Sequence, residues 1–323
     1  MAADPHSAAP QGASLPARQP PLPLSRRSRD RPPLTGPKSE SITRQRWMAK
    51  KAARAAVAFG SVATGRLALV ERLRLGPEVR VLTYHRFGDA DREPFRVAAK
   101  SFEEQVRYLA ERGLALSLSE FEQFLAGDLV PKRGASLVTI DDGSVSVHRV
   151  ALPILRDHGV PAVLFTVAGA VGTGHGQDGS AAEAFVDWDE LAEIAAGGIA
   201  VQSHSMTHRS MARLSVNEVA DEAAQSRELL EGRLGGDVRS FAYPYGTRAD
   251  YDAGTARAIH DAGYRCIFTS QHGAIGAGAD PLTLPRVKIE GGEGMAMFRL
   301  AVAGGLDAWS VVDRSLYALQ TPG

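Results

Sequence analysis

The sequence predicts an α/β fold in which helices surround a parallel β-sheet. Apolar, β-branched segments alternate with helical patterns over about 200 residues, an arrangement typical of consecutive βαβ units. This alternation is compatible with an open sheet or with a barrel. Six strands are expected, at residues 79–84, 136–140, 162–167, 199–202, 240–243 and 266–269.

Several helix starts are indicated by a serine followed three residues later by a glutamate. In this pattern the serine accepts a backbone N–H from the first turn, and the glutamate reaches back to the serine N–H. Apolar residues at helical spacing follow the first such pair, at Phe102, Val106 and Leu109. The three pairs are Ser101 with Glu104, Ser119 with Glu122, and Ser215 with Glu218. No dinucleotide-binding glycine pattern or phosphate-binding loop follows the first predicted strand.

The charge of the chain is unevenly distributed. The formal net charge of the 323 residues is zero. Residues 1–54 contain eleven Lys and Arg and three acidic residues, about +8, so the remainder carries about −8. A basic tail on an acidic body does not indicate a nucleic-acid-binding core. Cys266 is the only cysteine, so no intramolecular disulfide can form.

Three segments are predicted along the chain. Residues 1–45 contain nine of the 18 prolines and are expected to form a disordered tail, either solvated or in contact with an anionic membrane surface. Residues 46–76 are expected to be helical, packed on the domain or lying on a membrane, because their eleven-residue uncharged stretch is too short to span a bilayer. A signal peptide, with Met48 as an alternative start, is a further interpretation. Residues 77–312 are expected to form the main domain.

Two adjacent carboxylates end the second predicted strand. Asp141 and Asp142 follow an apolar run, and Gly143 allows the chain to turn sharply afterwards. The carboxyl ends of parallel strands are where α/β barrels carry their catalytic residues. One carboxylate could bind a cation while the other stays free as a base. A plain Asp-Asp-Gly turn is the alternative interpretation.

His204 and His208 are four residues apart. On a helical turn this spacing places both imidazoles on one face, within reach of one ion. Chance is the alternative, since the chain has nine histidines. With Asp142 the pair would form a site of two histidines and one carboxylate that keeps a position open for water. A divalent metal ion there would lower the pKa of water and polarise a carbonyl oxygen.

An aromatic segment and one more histidine stand at predicted strand ends. Tyr243, Pro244 and Tyr245 follow the fifth predicted strand and form either a rigid turn or the wall of a sugar-binding groove. His85 follows the first strand, at the same sheet edge as the two aspartates. A lone histidine is more often structural, and a role in the active site is the alternative.

These motifs together resemble the polysaccharide deacetylases with a NodB-homology domain, carbohydrate esterase family four. Thr-Ile-Asp-Asp-Gly is similar to the family's Thr-Phe-Asp-Asp-Gly motif, and Ser-His-Ser-Met-Thr-His is similar to its metal-binding motif. The resemblance covers roughly residues 79–290, and the combination is far more specific than any single motif. The similar segments, in family order, are 82–87, 139–143, 151–155, 160–165, 187–191, 203–208, 241–246 and 284–287.

The resemblance implies a distorted parallel (β/α) barrel that hydrolyses N-acetyl groups of an N-acetylhexosamine polysaccharide and releases acetate. It also implies one divalent metal ion, most often Zn²⁺. By motif position, Asp142, His204 and His208 would hold the ion, and Asp141 would be the general base. A backbone N–H near Tyr245 would help to stabilise the tetrahedral oxyanion.

The sequence departs from the family pattern in four places. Ile140 replaces the usual Phe, and Ser144 replaces a frequent aromatic residue. The arginine that often opens the Pro-Tyr motif aligns with Ala242, so an arginine contact to the base is expected to be missing. No Leu-x-Leu-His is visible near the C-terminus, where many members keep the proton-donating histidine. His85 is therefore the candidate general acid, with substrate positioning and core packing as alternatives.

Two other functions stay open on the sequence alone. One is a related metal amidase that acts on a small C–N substrate, and the other is a catalytically weak carbohydrate-binding protein. A glycan substrate favours the cell envelope, with peripheral membrane contact through the basic N-terminal region, and the cytoplasm is the alternative location.

Overall fold

A curled parallel sheet forms the centre of the fold in the computed structural model, which describes residues 44–65, 68, 69, 72, 76–89, 92–173 and 184–315. The sheet forms half of a barrel, which confirms the predicted fold class. Residues 1–43 of the predicted tail and several residues between 66 and 75 lie outside the described residues.

All six predicted strands are present, with bounds that differ by at most two residues from those expected. A short strand at Ile275–Gly276 lies outside these predicted segments. The strands are β1 (Glu78–Tyr84), β2 (Arg86–Phe87), β3 (Arg96–Val97), β4 (Ala115–Leu116), β5 (Ser136–Asp142), β6 (Ala162–Thr166), β7 (Ile199–Ser203), β8 (Ser240–Ala242), β9 (Cys266–Phe268), β10 (Ile275–Gly276) and β11 (Val287–Lys288).

The strand register brings the carboxyl ends of several strands to one edge. The spatial order is β10-β1-β5-β6-β7-β8-β9, with β4 beside β5 and β11 beside β1, and only β10 is antiparallel to its neighbour. Tyr84 pairs with Ile140, and Thr166 pairs with Ser203. The residues that follow β1, β5 and β7 therefore meet at the edge where parallel α/β folds place their chemistry.

Alternate residues of the central strands pack into two separate apolar clusters. Val81 and Leu137 point into one cluster, whereas Leu82 and Val138 point into the other. Both faces of the sheet are thus buried, which is why these strands appear in the sequence as continuous apolar runs.

Helices cover the sheet, and their starts correct two of the three predicted caps. Ser215 and Glu218 form a capping box as expected. At the helix Leu118–Ala126 the box is formed by Ser117 and Glu120 instead of Ser119 and Glu122. A start at residue 118 brings Leu118 into the helix, on the same buried face as Phe121 and Phe124. The helices are α1 (Arg44–Ala63), α2 (Ala99–Arg112), α3 (Leu118–Ala126), α4 (Leu152–Asp157), α5 (Trp188–Ala196), α6 (Val216–Leu234), α7 (Ala253–Asp261), α8 (Met295–Ala303) and α9 (Trp309–Ser315).

The prediction that Ser101 caps α2 is wrong. The helix α2 starts three residues earlier than this cap implies, after Ala98, which makes no side-chain cap. The predicted apolar face is nevertheless present, since Phe102, Val106 and Leu109 are buried.

The helix α1 packs against the main domain through buried charges. The Arg54 side chain is 1% exposed, and it donates to a Glu293 carboxylate oxygen at 2.6 Å and to the Lys288 carbonyl at 2.8 Å. Lys51 donates to Glu290 at 2.9 Å. Among the described helices, none is long and apolar enough to cross a membrane. Membrane contact through the N-terminal region stays a prediction.

We expect Arg54→Met to lower the free energy of unfolding by about 3–5 kcal/mol, because it leaves buried Glu290 and Glu293 short of a positive partner. Urea denaturation followed by circular dichroism measures the change. Arg44→Ala, at an exposed position of the same helix, is the control and should change stability by less than about 0.5 kcal/mol. Equal stability of the Arg54 variant and wild type would contradict a structural role for this ion cluster.

Candidate metal centre and active site

Three predicted ligands meet at the carboxyl edge of the sheet. Atoms of Asp142, His204 and His208 that could bind a metal ion all lie within 4.8 Å of one another, and all three residues are buried. One Asp142 carboxylate oxygen, Oδ1, is 3.6 Å from His204 Nε2 and 3.5 Å from His208 Nε2. Two ligand atoms about 2.05 Å from one tetrahedral ion lie about 3.3 Å apart, so the three residues fit a single Zn²⁺-sized ion.

The protonation of His204 also fits a metal ligand. Its Nδ1 lies 2.8 Å from the Ala242 carbonyl oxygen, which can only accept, so Nδ1 carries the proton and Nε2 is free to bind. Burial lowers the pKa of His204 to about 4, which keeps the imidazole neutral near pH 7. Although burial disfavours the charged form of Asp142, its hydrogen bond with His208 and the nearby imidazoles hold its pKa below the usual value.

A sharp turn after β5 presents the two aspartates. Asp142 has φ of 73° and Gly143 has φ of 88°, both in the left-handed region. A Cβ atom at position 143 would lie 2.4 Å from the Thr166 hydroxyl oxygen, so only glycine fits there. Asp142 is one of the residue types that tolerate this region best.

The two histidines lie on a loop after β7, and the predicted helical turn is wrong. Ser205 and His208 have φ of 70° and 59°, which a right-handed helix excludes. The backbone N–H groups of Met206 and Thr207 donate to the Glu222 carboxylate at 3.0 and 2.9 Å. A carboxylate from the neighbouring helix α6 therefore replaces the hydrogen bonds that a helical turn would have supplied.

Asp141 is held by an arginine, which overturns the expectation that this contact is missing. Arg286 donates through both terminal nitrogens to the two Asp141 carboxylate oxygens, at 2.7 and 2.8 Å. It also donates through Nε to the Thr269 carbonyl at 2.8 Å. Burial alone would raise the pKa of Asp141, but the charge and hydrogen bonds of Arg286, together with the nearby His204 and His85, hold the pKa below its usual value.

The predicted proton donor His85 follows β1 at the same edge. Its ring centroid is 4.8 Å from that of Phe95. Burial lowers the pKa of His85, and the charges of Asp142 and Asp141 oppose this only in part. The structure thus brings His85 into the electrostatic neighbourhood of both aspartates, and its catalytic role stays a prediction.

Only one residue of the aromatic segment presents its ring at the surface. Tyr243 is fully buried and stacks on Tyr251, with ring centroids 4.8 Å apart. The prediction that Tyr243 binds substrate is therefore wrong, since its ring is part of the core. Pro244 is buried as well, which leaves it the role of shaping the turn. Tyr245 is 36% exposed, and its ring lies 5.0 Å from that of His208.

Three residues of the site escaped the sequence analysis: Arg286, Glu222 and Phe95. Arg286 belongs to the Leu-Pro-Arg-Val segment. This segment resembles the family's sequence, but the resemblance did not indicate what the arginine does. Glu222 carried a signal of its own, because a carboxylate lies between buried Val219 and Ala223 on the inner face of a helix. Nothing in the sequence around Phe95 links it to the site.

We expect Glu222→Gln to weaken metal binding about 10–100-fold while the protein stays folded. One carboxylate oxygen accepts both backbone N–H groups of the histidine loop, and the other accepts the Thr207 hydroxyl and Arg209, so an amide NH₂ at either position removes one of these two acceptors. Metal competition with a fluorescent chelator measures the affinity. Glu228→Gln, at an exposed position of the same helix, is the matched control. Unchanged affinity in the Glu222 variant would mean that the loop keeps its shape without this carboxylate.

Comparison with known proteins agrees with this geometry. Residues 130–267 match the family profile described as polysaccharide deacetylase. YxkH of Bacillus subtilis (strain 168), whose name places it among the polysaccharide deacetylases, is 26% identical over 213 residues, which cover 66% of this chain and 71% of that protein. The poly-beta-1,6-N-acetyl-D-glucosamine N-deacetylase of Staphylococcus aureus (strain MRSA252) is 26% identical over 207 residues, covering 60% and 68% of the two chains.

Solved structures show the same architecture. IcaB from Ammonifex degensii superimposes with a TM-score of 0.61 at 26% identity, covering 71% of this chain and 97% of that one. The deacetylase PplD of Streptococcus pyogenes gives a TM-score of 0.62 at 21% identity, covering 70% and 99% of the two chains, which supports the fold. Residues 130–267, which match the family profile, contain β5, the histidine loop and the aromatic segment. Residues 130–267 therefore match the polysaccharide deacetylase family, and the similar proteins indicate a hydrolase of carbon–nitrogen bonds other than peptide bonds.

Proposed function

We propose that this protein is a metal-dependent N-deacetylase of a polysaccharide that contains N-acetylhexosamine, and that it releases acetate. The observation that carries the proposal is the pair of adjacent carboxylates with separate partners. Asp142 lies with His204 and His208, whereas both carboxylate oxygens of Asp141 accept hydrogen bonds from Arg286. The name of the Staphylococcus aureus relative supports the choice of substrate class.

A divalent ion held by Asp142, His204 and His208 would supply Lewis acidity, which makes water more acidic and a carbonyl carbon more electrophilic. Asp141 takes one proton from the attacking water as its oxygen bonds to the acetamide carbon. Arg286 keeps Asp141 ionised and fixes the direction in which its free lone pairs point. A backbone N–H near Tyr245 donates to the oxyanion that develops on the former carbonyl oxygen.

The second half of the reaction needs a proton on the departing nitrogen. The bond between the carbonyl carbon and nitrogen breaks, the amine leaves on the sugar, and acetate forms. His85 stands at the same edge of the sheet as both aspartates. Because burial lowers its pKa, His85 would receive the proton that Asp141 took from water and then donate a proton to this nitrogen.

We expect Asp141→Asn to lower the rate of acetate release from N-acetylglucosamine oligomers by about 10²–10⁴-fold, the usual contribution of a general base. The metal should stay bound, as measured by elemental analysis of the purified protein. The control is Asp142→Asn, which should lose metal and activity together. Loss of metal in the Asp141 variant, with metal retained in the Asp142 variant, would exchange the two roles.

We expect His85→Ala to lower turnover of the amide by about 10²-fold but to change hydrolysis of 4-nitrophenyl acetate by less than about threefold. The nitrophenolate group leaves without a proton, so a proton donor matters only for the amide. Steady-state kinetics on both substrates, at equal metal content, make the comparison. An equal loss on both would assign His85 to structure or substrate positioning.

A further inference from the structure

Exposed aromatic rings are concentrated at the candidate site. Among the described residues, three aromatic side chains are more than about one third exposed: Phe59 at 49%, Phe95 at 37% and Tyr245 at 36%. Phe59 lies on the outer face of α1, but each of the other two packs against an imidazole of the site. The Phe95 ring lies 4.8 Å from that of His85, and the Tyr245 ring lies 5.0 Å from that of His208.

These two rings flank the aspartates. His85 follows β1 and His208 follows β7, and the spatial order of the strands places β5, with Asp141 and Asp142 at its end, between them. A molecule whose acetamide group reaches the aspartates therefore extends past Phe95 on one side or past Tyr245 on the other.

The segment that carries Phe95 is held on both sides. The Phe95 carbonyl accepts the Arg86 N–H at 3.0 Å, within the small parallel pair of β2 and β3. The Glu93 carboxylate accepts from both Arg86 and Arg96 at 3.0 Å. These contacts fix the loop from the side of the small sheet, so the ring does not depend on ligand for its position.

The loop after β11 holds the same segment from its other side. The Gly291 N–H donates to the Pro94 carbonyl at 3.0 Å. A Cβ atom at position 291 would lie 2.0 Å from the Arg96 carbonyl oxygen, so this close approach requires glycine. An apolar ring that is fixed by its backbone and still faces water is the arrangement expected of a preorganised binding surface.

We propose that Phe95 binds a pyranose ring of the glycan chain, opposite Tyr245, and thereby makes the enzyme prefer an oligomer to a single sugar. This rests on the proposed deacetylase function. A glucosamine-type ring with equatorial substituents presents axial C–H groups on its faces, and such an apolar face packs well on a flat aromatic ring. Phe95 is here a specificity residue, distinct from the groups that move protons.

The expected effect follows from the exposed area of the ring. Covering the exposed 37% of Phe95 removes about 75 Å² from water, given roughly 200 Å² for a whole phenylalanine. At the usual coefficient for apolar burial, complete covering corresponds to roughly a 20-fold gain in affinity, so a sugar that covers part of the exposed ring is expected to contribute about tenfold.

The test compares Phe95→Ala, Phe95→Leu and Phe95→Tyr on an N-acetylglucosamine pentamer and on 4-nitrophenyl acetate. We expect Phe95→Ala to raise KM for the pentamer about tenfold and Phe95→Leu to raise it by a smaller factor, because leucine keeps part of the apolar area. In both variants kcat and ester hydrolysis should change by less than about threefold. Phe95→Leu keeps apolar cover over His85, and Phe95→Tyr should retain the wild-type KM because it keeps the ring. Phe59→Ala, which removes an exposed phenylalanine far from the site, is the matched control.

Two results would overturn the proposal. An unchanged KM for the pentamer in Phe95→Ala would show that no sugar contacts the ring. Equal losses on pentamer and ester in Phe95→Leu would show that Phe95 only supports His85. If wild type releases no acetate from any oligomer, the deacetylase function fails separately. Calorimetric titration of pentamer into wild type and Phe95→Ala then decides the contact: about tenfold weaker binding supports it, and equal binding overturns it.

Discussion

Two adjacent buried carboxylates can both stay ionised only if each has its own positive partner, and this constraint governs the site. Asp141 is 2% exposed and Asp142 is 7% exposed. Without partners, burial and mutual repulsion would drive a proton onto one of them. Arg286 satisfies Asp141 through a bidentate contact, whereas Asp142 faces two imidazoles and the position where a cation fits. The proposed division of labour between base and metal ligand thus follows from the partners of each carboxylate.

The same constraint explains why residues around the site hold its charged and polar groups in fixed positions. The Arg286 guanidinium is fully buried and also bound to a carbonyl, so it cannot turn away from Asp141. Opposite it, the histidine loop contains two left-handed residues, Ser205 and His208. Such a loop needs acceptors from outside its own backbone, and Glu222 supplies them. Both halves of the site therefore depend on the buried side chains of Arg286 and Glu222.

Buried ion pairs also hold α1 against the rest of the domain. Arg54 and Lys51 contact Glu290 and Glu293, which follow β11, at the carboxyl edge that contains the site. The next residue after Glu290 is Gly291, whose N–H holds the Phe95 segment. A continuous set of contacts thus connects the first helix of the described chain to the aromatic ring beside His85.

The sequence by itself determined the strands, most of the helical apolar faces and the residues of the candidate metal cluster. These features are local: a buried strand appears as an apolar run, a helix appears as a 3.6-residue period, and a motif keeps its residue types together. Tertiary structure decided which side chains meet. Arg286 reaches Asp141 across 145 residues, Glu222 lies on another element from the loop it holds, and Tyr243 turns into the core while Tyr245 does not. Even the choice of Ser117 over Ser119 as a cap depended on which apolar face the sheet could bury. Such contacts depend on how segments distant in the sequence pack together, and a local sequence pattern does not predict that packing.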